Sequence, residues 1–242
     1  MNDYTEDYLL DKQIKILQPK NGYRASSDAV LLAAAAYKIS ASDKILDIGS
    51  GTGAVSLCLA ERFKHLSPQI TGIEIQQELV RLANLSAKAN SFDNLRYINA
   101  NIFNSGLEPC SFNHVFSNPP YFTSNMPTSP LQGKATAHNF NDADINEWIN
   151  ICIKMLCPQG YFYMINRAEA LKEILASIEN RLGEISIFPI YSKTEQNAKR
   201  IILRAKKDSK APLQLKTPLY IHSTNGDYTK QAQDILRKGT GL

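Results

Sequence analysis

The sequence has few cysteines and no long apolar run. No stretch of 18 or more uncharged apolar residues occurs in the 242 residues, which argues against a membrane-spanning helix. The cysteines form no CxxC pair and have no histidine at ligand spacing, so we expect neither a disulfide framework nor a bound metal. The acidic first residues are unlike a secretory signal, and we expect a cytoplasmic protein without a membrane partner. The four cysteines are Cys58, Cys110, Cys152 and Cys157.

Internal repeats and low-complexity linkers are also absent from the sequence. Hydrophobic residues make up 43% and charged residues 21%, which argues against a disordered chain or a coiled coil. We therefore expect one domain over residues 1–242, with an N-terminal extension (1–40) and a basic C-terminal segment (193–242). Nothing in the sequence sets the oligomeric state, and a monomer is the simplest expectation.

Positive charge is concentrated in one segment. The net charge is only +4, but the stretch from Lys193 to Lys216 holds eight basic residues against two acidic ones. Within it, alternation places Arg200, Arg204 and Lys206 on one face of a strand and apolar residues on the other. Such a strand could pack inward and contact nucleic-acid phosphates outward, although charge alone allows a solvated edge strand equally well.

Short apolar runs alternate with segments of helical periodicity along the chain. This order predicts a Rossmann-like three-layer α/β sandwich, with a mostly parallel sheet and an antiparallel strand near the C-terminal end. Turns are expected at Asn21-Gly22 (a hairpin) and at Pro158-Gln159-Gly160. The predicted strands are 44–48, 70–75, 95–99, 114–117, 161–165, 185–190 and 200–205. The predicted helices are 28–36, 54–65, 78–88, 145–156 and 168–182.

The first predicted strand ends in a glycine-rich turn that is typical of nucleoside-cofactor sites. Its sequence is Asp47-Ile48-Gly49-Ser50-Gly51-Thr52-Gly53, and Glu74 follows at the next strand end, where a carboxylate can accept from ribose hydroxyls. Gly49, Gly51 and Ala54 also fit the dinucleotide pattern, so a nicotinamide or flavin cofactor is an alternative. Asp47 would repel a pyrophosphate but could pair with an ammonium group, which favours S-adenosylmethionine. Asp47 could equally stabilise the turn.

The fourth predicted strand ends in Asn118-Pro119-Pro120-Tyr121. The prolines stop the strand, because they cannot donate ladder hydrogen bonds, and leave the Asn118 amide oxygen and the Pro119 carbonyl as fixed acceptors. Two acceptors that bind both hydrogens of a conjugated amine favour a pyramidal nitrogen whose lone pair can attack a methyl group. Tyr121 adds an aromatic surface on which a base can stack. A plain turn is the alternative interpretation of this sequence.

These two motifs resemble those of the class I amino-methyltransferases, and nearly the whole chain resembles the bacterial tRNA1(Val) (adenine(37)-N6)-methyltransferase family. The likeness extends from residues 22–32 to Asp227-Tyr228-Thr229 and the following helix. It implies methylation of N6 of an adenine beside the anticodon of a valine tRNA, with S-adenosylmethionine as the methyl donor. Asn101 departs from the family, which usually has an aspartate there.

The motifs, the resemblance and the basic segment together predict three sets of site residues. The residues that hold the target adenine are Asn118, Pro119, Pro120 and Tyr121. The cofactor residues are Asp28, Asp47, Gly49, Ser50, Gly51, Gly53, Glu74, Ile75, Asn101 and Asn118. The RNA-binding residues are Arg24, Lys199, Arg200, Arg204 and Lys206, to which Lys134 and His138 of the long loop are added.

Two other functions remain open from the residues alone. A protein glutamine methyltransferase would use the same Asn118 chemistry, but the basic segment argues against it. A non-catalytic RNA-binding module could keep the fold, but the intact glycine turn and the intact Asn118 motif argue against that.

Overall fold

The computed structural model describes residues 3–22, 24–119 and 145–242. The strands are β1 (Tyr4–Leu9), β2 (Ile14–Pro19), β3 (Lys44–Ile48), β4 (Gln69–Glu74), β5 (Leu95–Asn99), β6 (Phe112–Ser117), β7 (Leu156–Arg167), β8 (Leu182–Tyr191), β9 (Arg200–Lys207), β10 (Gln214–Leu215) and β11 (Leu219–Tyr220). The helices are α1 (Ser27–Ala34), α2 (Ala54–Arg62), α3 (Gln77–Ala89), α4 (Ile145–Met155), α5 (Leu171–Ile178) and α6 (Lys230–Lys238). Single 3₁₀ turns cover Ile102–Asn104 and Ala168–Ala170.

Nine of the strands form one sheet in the order β10-β8-β9-β7-β6-β3-β4-β5, with β11 also paired to β8. Every pairing is parallel except those of β9, which runs antiparallel to β7 and β8. This confirms the predicted Rossmann-like sheet with an antiparallel strand near the C-terminal end. β4 and β5 lie on one side of β3 in the sheet, whereas β6 and the later strands lie on its other side. The strand order therefore reverses between β3 and β6, and ligands bind at the carboxyl ends of the strands at such a switch point.

Hydrophobic cores cover both faces of the sheet. Because side chains alternate along a strand, the neighbours Ile45 and Leu46 of β3 lie in different cores. The first core contains the buried sides of α1, α2 and α3, and the second contains those of α4 and α5. Long apolar stretches in the central strands are thus explained by burial on two sides.

The N-terminal hairpin packs on α3 and runs beside it. The Leu17 amide donates to Ser86 Oγ at 2.9 Å, and the Lys15 amide donates to Asn90 Oδ1 at 2.9 Å. The hairpin turn lies at residues 10–13 and not at Asn21-Gly22, so that prediction was wrong. Leu10, Asp11 and Lys12 all have positive φ, a conformation that residue-type preferences did not reveal.

Two further boundaries differ from the prediction. The predicted turn at 158–160 is an irregularity inside β7, where the pairing with β6 jumps from Leu156 to Tyr161. Gly183 does not break a helix but lies in β8, which begins at Leu182. A Cβ at Gly183 would collide with the Ser209 carbonyl, so the glycine is required by a close backbone approach.

The basic strand β9 lies between β7 and β8, so the alternative of a solvated edge strand is wrong, whereas its contact with nucleic-acid phosphates stays a prediction. Arg200, Arg204 and Lys206 do share a face, but Ile202 on that same face is fully buried in the first core. The Arg204 guanidinium lies 4.1 Å from the centre of the Tyr37 ring. β9 runs antiparallel to β7, from the carboxyl end of β7 toward its amino end. The basic residues of β9 are therefore distributed along the full length of the strand.

Candidate active site

The glycine turn is anchored by the strands on either side of β3. Ile48, the last residue of β3, pairs with Ile73 of β4 and with Ser117 of β6. The amides of Gly49 and Ser50 both donate to the Ile73 carbonyl, at 2.9 and 3.1 Å. Residues 49–53 then lead directly into α2, so the turn lies at a helix N-terminus, where free amides favour polar ligand groups.

Tyr97 fixes the shape of this turn, and sequence reasoning missed it. Its ring fills the space beside Gly53 and Gly72, where a Cβ on either glycine would collide with it. The Tyr97 hydroxyl donates to the Gly53 carbonyl at 3.2 Å. Gly53 is therefore explained by Tyr97 and by its left-handed φ of 86°, without a ligand. The signal that could have found Tyr97 is Gly72, since a glycine inside a strand often marks a close approach.

Two buried carboxylates lie behind the turn. Asp47 is 1% exposed and accepts from the Ser56 amide at 3.2 Å and from the Ser56 hydroxyl. Burial raises the pKa of Asp47 to about 6, the Ser56 hydrogen bonds oppose the rise, and the nearby Glu74 charge adds to it. Glu74 accepts from the Gly51 amide at 3.1 Å. The structure is therefore compatible with both predicted roles of Asp47, stabilising the turn and pairing with an ammonium group. Asp47 stabilises the start of α2, and it also carries buried negative charge.

The residues around the turn fit a cationic nucleoside cofactor. Within the described ranges, neither Asp47 nor Glu74 forms an ion pair with a basic side chain, so their field favours a cation and opposes a pyrophosphate. The hydroxyls of Ser50 and Thr52 are buried and have no hydrogen-bond partner among the residues that the structure describes. Buried polar groups normally have partners, so these two hydroxyls mark a place where a polar ligand can supply them.

The end of β6 lies beside the glycine turn. Because Ser117 is paired with Ile48, Asn118 and Gly49 leave adjacent strands at the same level. Asn118 is half-buried and Pro119 is buried. No hydrogen bond among the described residues engages the Asn118 amide group. The two motifs therefore leave paired strands side by side. Pro120, Tyr121, Lys134 and His138 lie outside the described residues.

Trp148 connects the two motifs and was not identified from the sequence. This residue of α4 is 1% exposed, and its indole N–H donates to Ser117 Oγ at 2.8 Å. The ring also lies against Gly49, where a Cβ would be 3.3 Å from it. Phe103 packs edge-on against Trp148 with a centroid distance of 6.2 Å. A single side chain therefore touches the glycine turn, the end of β6 and the loop after β5.

The loops after β4 and β5 contain the remaining predicted cofactor residues. Asn101 Oδ1 accepts from the Phe103 amide at 3.0 Å and so caps the 3₁₀ turn. The Ile75 carbonyl accepts from Asn99 Nδ2 at 2.8 Å. These contacts fix the backbone of both loops at the same sheet edge as the glycine turn.

Arg24 and Asp28 hold the segment that joins the hairpin to α1. The Arg24 guanidinium pairs with Asp7 at 2.7 Å and donates to Thr5 Oγ1 at 3.0 Å. Hydrogen bonds from Thr5 and Gln18, together with the Arg24 charge, lower the pKa of Asp7 although desolvation opposes this. Asp28 pairs with Arg200 at 3.1 Å. The hairpin lies on α3, and Arg200 begins β9. The segment from Arg24 to Asp28 therefore runs across the sheet, near the carboxyl ends of the parallel strands.

The predicted RNA-binding residues of β9 are spread along the strand. Arg200 is paired with Arg167 at the carboxyl end of β7, and Lys199 beside it is exposed. Lys206 is paired with Tyr161 and lies 5.6 Å from the centre of that ring, toward the opposite edge of the sheet. The structure therefore brings Lys199 and Arg200 to the site edge but places Lys206 far from it.

The described residues contain no group of three or more His, Cys, Asp or Glu side chains placed to hold a metal ion. None of their helices has the length and apolar character that crossing a bilayer requires.

The fold and the site define a class I methyltransferase. The family model for a methyltransferase domain matches residues 39–214. A tRNA1(Val) (adenine(37)-N6)-methyltransferase from Porphyromonas gingivalis is 31% identical over 192 residues, which are 74% of each chain. This chain belongs to the methyltransferase domain family and, within it, to the tRNA1(Val) (adenine(37)-N6)-methyltransferase family.

Two solved structures share the fold of this chain. A protein described as a predicted O-methyltransferase from Agrobacterium tumefaciens superposes with a TM-score of 0.73 at 26% identity, covering 89% of this chain and 97% of its own. The M. jannaschii protein TYW2, solved with AdoMet, has the same fold at 12% identity, with a TM-score of 0.59 and coverage of 85% of this chain and 86% of its own.

Proposed function

We propose that this chain transfers a methyl group from S-adenosylmethionine to N6 of adenine 37 in tRNA1(Val). The observation that carries the proposal is the position of Asn118 beside Gly49, at the ends of the paired strands β6 and β3. That position puts an amine-binding motif next to a cofactor turn. Relatives from several bacteria carry the name of this activity.

The two buried carboxylates fit the charge of this cofactor. S-adenosylmethionine supplies a methyl group activated by a sulfonium, and it also carries an ammonium group. Asp47 provides buried negative charge near the glycine turn. We assign Glu74, which ends β4, to accept from ribose hydroxyls with the lone pairs that its bond to the Gly51 amide leaves available. The Ser50 and Thr52 hydroxyls offer two further partners.

Asn118 and Pro119 position the target amine. The Asn118 amide oxygen and the Pro119 carbonyl accept the two N–H groups of adenine N6, which directs the nitrogen lone pair toward the methyl group. The new N–C bond forms as the S–C bond breaks, and the ammonium product then loses a proton to solvent. No strong base is required, so positioning and fixed dipoles account for the role of these residues.

Contact with the tRNA is assigned to the site edge of β9. Lys199 and Arg200 lie there, whereas Lys206 is remote and Arg204 lies over Tyr37. Arg24 is held by Asp7 and Thr5, so we assign it to positioning the N-terminal segment. An adenine in the anticodon loop is already partly unstacked, so presenting it to Asn118 costs only a few kcal/mol.

Methyl transfer to an unmodified tRNA1(Val) transcript tests the proposal. Wild-type protein should form N6-methyladenosine at position 37, detected by nucleoside mass spectrometry. Asn118→Ala should lower kcat roughly 10²- to 10³-fold, as the loss of one fixed polar partner does in other active sites. Asn118→Asp keeps a side-chain acceptor oxygen at this position and should retain more activity.

Asn104→Ala is the matched control, because Asn104 is an exposed asparagine in the loop after β5. It should leave kcat unchanged. The proposal would be overturned if wild-type protein methylated protein glutamine but not tRNA, or bound the cofactor without methylating any RNA. Those two outcomes correspond to the glutamine methyltransferase and the non-catalytic module.

A further inference from the structure

Four aromatic side chains form a ridge beyond the end of β8. Tyr228 stacks on His222 with a centroid distance of 4.9 Å and an interplanar angle of 23°, and Tyr191 lies 5.1 Å from Tyr220. Tyr228 is 46% exposed although its ring is large and partly apolar. We refer to Tyr191, Tyr220, His222 and Tyr228 as the aromatic ridge.

The ridge is held together by local contacts. The His222 amide donates to the Ser192 carbonyl at 3.0 Å, and the Thr229 hydroxyl donates to the Tyr220 carbonyl. His222 Nδ1 is buried without a hydrogen-bond partner among the described residues, so its ring is positioned by stacking. Tyr228 therefore presents one face to His222 and leaves the other side of its ring accessible.

The strand pairing places the aromatic ridge near the carboxyl ends of the parallel strands, where the candidate active site also lies. Ile190 of β8 is paired with Arg200, and Arg200 is paired with Arg167 at the carboxyl end of β7. β11, which leads into the ridge, runs parallel to β8. From β11 to β6 there are four strand spacings, or roughly 19 Å. A few nucleotides of an unstacked strand can span that distance from Asn118.

Basic side chains lie between the ridge and the site. Arg200 begins β9 and Lys199 directly precedes it. Arg167 ends β7, and Lys193 follows the end of β8. Glu195 and Asp28 oppose part of this charge, so the edge is moderately basic. Aromatic rings combined with positive charge are the features by which proteins bind single-stranded nucleic acid.

We propose that Tyr228, supported by His222, stacks against an anticodon-loop base near the target adenine. This inference rests on the proposed function and adds to it a second contact with the RNA. It explains an exposed tyrosine at the site edge that the methyl-transfer chemistry does not use. It also gives the Asp227-Tyr228-Thr229 motif a role in substrate recognition.

The first test compares two tyrosines of similar exposure. Tyr228→Ala should raise the KM for tRNA roughly five- to hundredfold, the range for loss of one stacked base, without changing the dissociation constant of the cofactor. Tyr228→Phe keeps the ring and should remain close to wild type. Tyr8→Ala is the matched control, because Tyr8 is 50% exposed but lies on the hairpin beside Lys15, toward the opposite edge.

A spectroscopic test reports the contact directly. Anticodon stem–loop RNAs with 2-aminopurine at single loop positions should show quenching by wild-type protein at one or two positions, and Tyr228→Ala should abolish it. Lys199→Ala should reduce the salt dependence of RNA binding, whereas Lys206→Ala should not. Unchanged tRNA KM and unchanged quenching in Tyr228→Ala would overturn the ridge proposal. Failure of wild-type protein to methylate tRNA would instead overturn the proposed function.

Discussion

Asp47 is a buried residue that stabilises the fold and to which we also assign a role in binding the cofactor. Its carboxylate accepts from the Ser56 amide and hydroxyl at the start of α2. Burial nevertheless raises its pKa to about 6, so these bonds do not fully compensate the charge. A cation that binds nearby would favour the ionised form, which links cofactor binding to proton release.

We therefore predict that cofactor affinity falls as the pH drops through about 6, because Asp47 becomes protonated. Asp47→Asn should weaken binding about 10- to 100-fold at pH 8, since a charge-assisted interaction is lost, and should flatten the pH dependence. Calorimetric titrations with S-adenosylhomocysteine, which keeps the ammonium group, measure both effects from pH 5.5 to 8.

Ser56→Ala provides the matched comparison for Asp47. Removing one hydrogen bond that opposes the rise in the Asp47 pKa should move the midpoint of the pH dependence upward. A pH-independent affinity in wild-type protein, or an identical profile in Asp47→Asn, would separate Asp47 from the cofactor.

At the scale of elements, the contacts of Trp148 link helix α4 to two strand ends. Its N–H reaches Ser117 at the end of β6, and its ring contacts Gly49 after β3. Ser117 in turn donates to the Ile48 carbonyl at 3.3 Å. Because Asn118 directly follows Ser117, this chain of contacts fixes the backbone that carries the amine acceptors relative to the cofactor turn.

We predict that Ser117→Ala lowers kcat about 10- to 100-fold with little change in the KM for the cofactor, because it misplaces Asn118 but leaves the ring of Trp148 against Gly49. Trp148→Phe should lower kcat and also raise that KM. If both act through one hydrogen bond, the double variant should have the kcat of Trp148→Phe alone. Steady-state kinetics measure this cycle.

A spectroscopic control accompanies the kinetics. Trp148 is the sole tryptophan of the chain, so its fluorescence should change when the cofactor binds. Additive losses in kcat would show that Trp148 and Ser117 act independently of each other. A loss of thermal stability in Ser117→Ala with unchanged kcat would show that Ser117 serves packing alone.

Elements that follow from local pattern were predictable from the sequence, and those set by distant contacts were not. The strand from Lys44 to Ile48 and the start of the helix at Ala54 depend on nearby residues, and both were predicted. Tyr97 and Trp148 were missed because their partners lie far away in sequence. The internal position of the basic strand was not predictable, because alternation defines its two faces but does not reveal its neighbours in the sheet.

At the scale of the whole molecule, a buried histidine links the middle of the sheet to α1. His114 is 2% exposed, with Nε2 at 3.1 Å from Asp43 Oδ2 and Nδ1 at 3.2 Å from the Tyr163 hydroxyl. The Tyr163 hydroxyl also bonds the backbone of Tyr37 after α1. Burial lowers the pKa of His114, although Asp43 opposes the shift. The folded protein therefore binds the proton less readily than the unfolded chain.

This difference predicts that the free energy of unfolding decreases as the pH falls from about 7, through the ordinary histidine pKa near 6.5 and then through the lowered value in the fold. Asp47 affects the free energy of unfolding with the opposite sign, because its pKa is raised in the fold. Its contribution to that free energy is lost as the pH rises through about 6. Urea unfolding at several pH values should therefore compare variants and not wild-type protein alone.

His114→Asn should lower the free energy of unfolding by about 1–3 kcal/mol at pH 8, because Tyr163 and Asp43 lose a buried partner, and should unfold with a weaker pH dependence. His65→Asn, at an exposed histidine, should keep the wild-type profile. Equal slopes for His114→Asn and wild type between pH 5 and 7 would exclude His114 as the source of the acid sensitivity.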